Sequence, residues 1–145
     1  MDYLAAFEIS ASGMMVEKTR LDTVALNLAN SKSTKTVNGT PFKPLKVLSG
    51  PKVNSFDLYM NQFSQTNVPA GVQVLDIKEM EVAPKLVYEP GHPDANADGF
   101  VAYPNINPVS EMLTMIEATR SYEANVKAFN AAKSMALQAL EIGRK

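Results

Sequence analysis

The sequence predicts an α+β fold, with long N- and C-terminal helices pairing as a coiled-coil-like helical domain and a small β-rich segment inserted between them. Three observations carry this reading. Apolar residues recur in alternating steps of three and four near the start of the chain. They do so again over its last third. Between the two stretches the sequence changes to short alternating runs broken by proline and glycine. The boundaries fall at residues 1–35, 36–105 and 106–145.

The first helix is read from Leu4, Phe7, Ala11, Met14, Lys18, Leu21, Ala25 and Leu28. Steps of three and four make the seam of a coiled coil, and Lys18 is its one charged member. Ile9, Val16 and Val24 form a second apolar line beside that seam. A helix that is apolar on more than one side requires more than one neighbour. The flanking line is therefore expected to meet another subunit rather than the chain's own core.

The middle segment holds eight of the nine prolines and five of the seven glycines, which disfavours helix. Pro44–Leu48, Val53–Tyr59, Gly71–Ile77 and Lys85–Tyr88 read as strands. Turns are expected at Asn38-Gly39, Ser49-Gly50-Pro51 and Pro69-Ala70-Gly71. Asn61 to Asn67, rich in Gln, Ser and Thr, reads as an exposed tip.

For the last helix, Asn107 suits the N-cap and Pro108 the first helical position. The seam runs through Met112, Met115, Thr119, Tyr122, Val126, Phe129, Lys133, Ala136 and Leu140, flanked by Val109, Leu113, Ile116 and Leu137. Arg144 and Lys145 suit the negative end of the helix dipole. At 1.5 Å per residue, a helix of about 30 residues is roughly 45 Å long, more than a small globule covers. Polymer contacts are expected along it.

Composition excludes several function classes. A net charge of −1 with 20% charged residues gives no electrostatic case for nucleic acid or an anionic membrane. Without cysteine there is no disulfide, thiol nucleophile or zinc knuckle. The N-terminus lacks a basic start, and Glu8, Glu17 and Lys18 interrupt any apolar signal-peptide core. The single histidine, His92, lies between Gly91 and Pro93 and reads as a turn residue, with no serine or acid pair arranged to use it. No enzyme, cofactor, metal or small-molecule substrate is expected.

Asp94, Asn96, Asp98 and Gly99 spell D-x-N-x-D-G, the opening of an EF-hand calcium loop. The bidentate glutamate that completes such a loop would fall at Asn105, which lacks a carboxylate. Pro90, Pro93, Pro104 and Pro108 break the flanking helices that the motif needs. The stretch therefore reads as successive turns. The alternative it carries is a calcium-responsive coiled-coil adaptor using the Asp94–Gly99 loop as a switch.

Three stretches also resemble a known family. Asn27-Leu28-Ala29-Asn30 with Ser33-Thr34 resembles the N-x-A-N signature of rod and hook proteins. Glu89-Pro90-Gly91-His92-Pro93-Asp94-Ala95, with Gly99 and Tyr103-Pro104-Asn105, resembles a turn signature. Glu111-Met112, Arg120-Ser121-Tyr122-Glu123-Ala124-Asn125 and Phe129-Asn130 resemble a terminal helix. In this order the three resemble the bacterial flagellar basal-body rod proteins, specifically the FlgC family of proximal rod subunits. Glu81, where the family often has aspartate, is a departure that touches one local turn.

The resemblance implies a structural subunit that polymerises through its terminal helices into a hollow axial drive shaft and transmits torque. The helices would form the inner, axial core, and residues 36–105 the outer segment. It implies subunit packing by Leu4, Phe7, Ala11, Met14, Leu21 and Leu28, and by Met112, Met115, Tyr122, Val126, Phe129, Ala136 and Leu140. Asn27, Ala29, Asn30 and Thr34 would be the rod signature. Pro90, Gly91, His92, Pro93, Asp94, Gly99, Pro104 and Asn105 would be the turn that delivers the chain into the last helix. The implied partners are other rod subunits, further copies of the chain and the flagellar type III export apparatus. The implied location is the basal body in the periplasmic space, reached without a cleaved signal peptide.

Overall fold

The computed structural model describes residues 3–36, 39–52 and 71–143. The expected strand Val53–Tyr59, the tip Asn61–Asn67 and the terminal Arg144 and Lys145 lie outside the described residues, as does the side chain of Leu4. Helix α1 spans Tyr3–Ala29 and helix α2 spans Pro108–Gly143. Between them lie β1 (Leu45–Pro51), β2 (Val72–Glu79), β3 (Lys85–Tyr88) and β4 (Phe100–Tyr103). The four strands form two separate antiparallel ladders, β1 with β2 and β3 with β4.

The ends of both helices are written in their side chains. The Asn107 carboxamide oxygen accepts from the Val109 backbone N–H at 3.0 Å, capping α2 ahead of Pro108. At the end of α1, Asn30 Nδ2 donates to the Leu26 carbonyl at 2.9 Å and Ser31 Oγ to the Leu28 carbonyl at 2.7 Å. These side-chain bonds add to the backbone N–H groups of Asn30 and Ser31 that the same two carbonyls accept, tightening the last turn.

The helices lie side by side and antiparallel. Asn27 meets Glu111, Gly13 meets Asn125, and the rings of Phe7 and Phe129 touch edge to face at 4.9 Å. At several levels of both helices the contact falls one position before the predicted seam, while Phe7 and Phe129, both members of that seam, keep their contact. Ser10 and Val24 are buried where Ala11 and Ala25 were expected, and Ala118 and Ala132 where Thr119 and Lys133 were expected. The shift takes Lys18, Thr119 and Lys133 out to solvent and brings small side chains into the contact. Burying an unpaired lysine is costly, while alanine and glycine let the helix backbones approach closely. This corrects one expectation: Val16 and Val24, each 4% exposed, belong to the chain's own core.

A Cβ placed on Gly13 would lie 2.8 Å from the Asn125 amide nitrogen. Asn125 can rotate away from a methyl group, and alanine favours helix by about 0.5–1 kcal/mol over glycine. Gly13→Ala is therefore expected to be near neutral. Gly13→Leu overfills the contact and is expected to destabilise the chain by about 1–3 kcal/mol. Thermal unfolding of the two variants checks the difference, and equal melting temperatures would contradict this packing.

The β1–β2 ladder lies along α1, held near both ends. Its Leu45 end bonds to Asn27, while at the other end Lys52 pairs with Glu8 at 2.8 Å and the Val72 N–H donates to Ser12 Oγ at 3.1 Å. The expected turn at Ser49-Gly50-Pro51 is instead the end of β1, entered through a bulge between Leu48 and Ser49. A bulge adds twist without ending the pairing. Glycine also admits the close approach of Leu75, whose Cδ1 would lie 2.9 Å from a Cβ at position 50. Strand β4 was not expected, since only four residues separate Gly99 from Pro104. Its Val101 is fully buried.

Candidate functional site

The side chains with the most specific partners gather where α1 ends. Asn27 is 2% exposed and nearly all its hydrogen-bonding capacity is used. Its Nδ2 donates to the Leu45 carbonyl at 2.9 Å and to Glu111 Oε2 at 3.1 Å. Its Oδ1 accepts from the Leu45 N–H at 2.9 Å. One amide thus joins α1, β1 and α2.

Seven residues further on, Thr34 Oγ1 donates to Asp94 Oδ2 at 2.7 Å and Lys35 forms an ion pair with the other carboxylate oxygen. The Asp94 backbone N–H donates to His92 Nδ1 at 3.1 Å. The His92 ring lies against that of Tyr103, whose hydroxyl donates to Glu89 Oε2 at 3.0 Å. The loop from Glu89 to Gly99 is therefore fastened at one edge to the exit of α1 and at the other to β4. Pro90, Gly91 and Pro93 shape this loop, and Pro104, which is buried, closes the hairpin behind β4.

The structure thus brings the three quoted stretches together. The N-x-A-N asparagine touches Glu111 of the last helix, and the threonine after it touches the aspartate of the turn. Not every quoted residue joins. Asn30 caps its own helix, and Ala29 and Asn105 are exposed. The Leu45 backbone and Lys35 complete the junction, and spacing gave no signal for either.

The lysine hydrogen bond, then the threonine one, hold the Asp94 carboxyl below its ordinary value of 3.8. A carboxyl whose pKa is depressed on folding stabilises the fold above its unfolded value, and that stabilisation is lost as pH falls through the folded value. The fastening is therefore expected to be complete at pH 5 and above and to open only below 3.8. Titration of the Asp94 carboxyl carbon by NMR checks this, and a midpoint above 3.8 would contradict it.

The same contacts engage the D-x-N-x-D-G oxygens. Asp94 is held by Lys35 and Thr34, and Asn96 Oδ1 accepts the N–H groups of Asp98 at 3.0 Å and Phe100 at 2.8 Å. Gly99, at φ 79°, makes the last turn into β4. Among the described residues, no three His, Asp or Glu side chains gather as an ion would need. Calorimetric titration is expected to find no saturable site at micromolar calcium. A site lost in Asp94→Ala would contradict the turn assignment.

No helix among the described residues is long and apolar enough to cross a membrane. Large apolar side chains also stay exposed along α2. Val109, Met112, Leu113 and Ile116 are exposed near the start of α2, and Leu137, Leu140 and Ile142 near its end. Since Phe7 lies beside Phe129, the final turns of α2 run past the start of α1.

A family model described as the flagellar basal body rod FlgEFG protein C-terminal region matches residues 97–142. Relatives match over nearly the whole chain. The flagellar basal-body rod protein FlgC of Bacillus subtilis is 43% identical and covers 96% of this chain and 97% of its own. That of Aquifex aeolicus is 42% identical over 93% and 92%. That of Escherichia coli O6:H1 is 38% identical over 99% and 100%.

Proposed function

The chain belongs to the family of the flagellar basal-body rod protein FlgC, as a structural subunit of the rod, and from that premise we propose how it assembles. The two helices form the inner domain of a hollow axial shaft, polymerise laterally and lengthwise through their exposed apolar side chains, and transmit torque. Residues 36–105 form the outer segment, joined to the helices at Asn27 and Asp94. The packing residues are the outward members of both helices, with Met112 and Leu140 prominent among them. Phe7 and Phe129 hold the pair together.

One observation carries this reading. Large apolar side chains stay exposed at both ends of α2, on faces that its partner helix leaves open. Monomeric soluble proteins rarely leave large apolar patches open, whereas an assembly interface is built from side chains of this kind. The neighbours are other rod components and further copies of the chain. The protein works without catalysis, in the periplasmic part of the basal body, and is passed there by the flagellar type III export apparatus without cleavage of a signal peptide. Deleting the coding sequence is expected to abolish swimming, and a plasmid copy to restore it. A tagged copy should fractionate with isolated basal bodies. Swimming by the deletion strain would overturn the proposal.

A further inference from the structure

The geometry points to Asn27 as a positioning residue that takes the place a neighbouring strand would fill: its carboxamide pairs β1 at Leu45 on the edge that no described strand occupies, and Glu111 fixes which way round that carboxamide sits. Leu45 lies opposite Glu79 of β2, yet its N–H and C=O point away from β2 and both bond to Asn27. In an antiparallel ladder, a neighbouring strand would give such a residue one C=O and one N–H. The Asn27 carboxamide presents the same pair at 2.9 Å each. An open strand edge invites pairing with other chains, and here its first rung is already filled.

The carboxamide could be turned over, which would set oxygen against oxygen at Leu45. Glu111 disfavours that orientation. As a carboxylate it can only accept, and it takes the second Nδ2 hydrogen at 3.1 Å. Position 27 therefore requires both a donor and an acceptor, so aspartate, although the same shape, fails. In Asn27→Asp the new carboxylate would face the Leu45 carbonyl and the Glu111 carboxylate, at a position where the native residue is 2% exposed. Two carboxylates that close do not both ionise, and one takes up a proton.

The consequence is mechanical and rests on the rod-subunit reading. The direction in which the β1–β2 ladder leaves the helical pair is set at one buried amide, touched by α1, β1 and α2. At the opposite end the ladder is held by more exposed contacts, Lys52 with Glu8 and Val72 with Ser12.

The test compares wild type, Asn27→Asp, Glu111→Gln and Asn27→Asp/Glu111→Gln as purified full chains. Near pH 7, Asn27→Asp is expected to melt lower and to exchange the Leu45 amide about tenfold faster, as loss of hydrogen bonds of ordinary worth would give. Acidification toward pH 5 should restore much of its stability, because a shared proton supplies the missing donor. The sign follows: the pair's folded pKa is raised, so its stabilisation is present at low pH and lost as pH rises. The double variant should recover only part of the loss at pH 7, because the introduced glutamine amide donates to the introduced carboxylate while the Leu45 carbonyl still lacks its donor, and it should lose the acid dependence. Glu111→Gln alone keeps an acceptor and should resemble wild type.

If Asn27→Asp matches wild type in melting and Leu45 exchange, or if it is destabilised equally at both pH values, the inference is overturned. Should it not fold at all near pH 7, failure of acidification to restore folding counts equally against it. These readouts need no flagellum. Absence of the wild-type chain from isolated basal bodies would sink the functional reading alone.

Discussion

Leu140→Asp is expected to leave the isolated chain folded and to abolish swimming. Leu140 is 71% exposed and sits on the part of α2 that runs past the start of α1. Within one chain the substitution exposes a carboxylate in place of an exposed leucine, a change worth about 0.5 kcal/mol or less. In an assembled rod the same position would be covered by a neighbour. An unpaired carboxylate there costs several kcal/mol or more in every subunit. An unfolded chain passing through an export channel has no reason to resist one added carboxylate next to Glu141. The expected set of results is an unchanged melting temperature, normal export and no complete rod. Glu123→Gln, on the charged middle of α2, should swim close to normally. Normal swimming by Leu140→Asp would show that this end of the helix meets no subunit.

Gly71→Ala is expected to weaken the fold by about 2–4 kcal/mol, combining backbone strain with a lost hydrogen bond. Gly71 has φ 113°, a conformation that alanine adopts only under strain. A Cβ there would also collide with the Ser12 side chain and lie 3.4 Å from the Ile9 Cα on α1. Ser12 cannot move without releasing the Val72 N–H, which is how β2 starts on the helix. For a chain of this size the fall in melting temperature is on the order of 10 °C. Gly39→Ala separates the two causes. Gly39 also has positive φ, 77°, but nothing lies within 4 Å of its would-be Cβ, so strain alone applies and the loss should be the smaller. Equal losses for the two would mean that the contact with Ser12 contributes nothing.

Much of this architecture was legible in the residues because its signals are local. Asn107 before Pro108 announces the start of α2, and the three-four spacing announces both helices and their pairing. What escaped was set by contacts between distant segments. The seam was read from apolar spacing, which placed Phe7 and Phe129 in the contact but fell one position late at the levels of Ser10, Val24, Ala118 and Ala132. Spacing rewards large apolar residues, whereas the pair selects Ala118, Ala132 and Gly13, which let the backbones approach. Val16 and Val24 were assigned to other subunits for the same reason. Strand β4 is four residues long, too short for its alternation to stand out behind a motif that advertises turns. At the junction, the weight of Asn27, Thr34 and Asp94 came from likeness to a family. The partners that explain that weight, the Leu45 backbone, Glu111 and Lys35, lie 18, 84 and 59 residues away from the groups they bind. No periodicity links them.

The most direct test of the assembly is an image of the intact basal body in which side chains along α2 are resolved. The expected result is that α1 and α2 of each copy lie in the inner layer as an antiparallel pair, with Asn27 bonded to Leu45 and Glu111. Both apolar ends, Val109 to Ile116 and Leu137 to Ile142, should be covered by neighbouring subunits, and residues 36–105 should lie outside. Finding those ends open to solvent, or the helices on the outer surface with the strand ladders lining the channel, would contradict it.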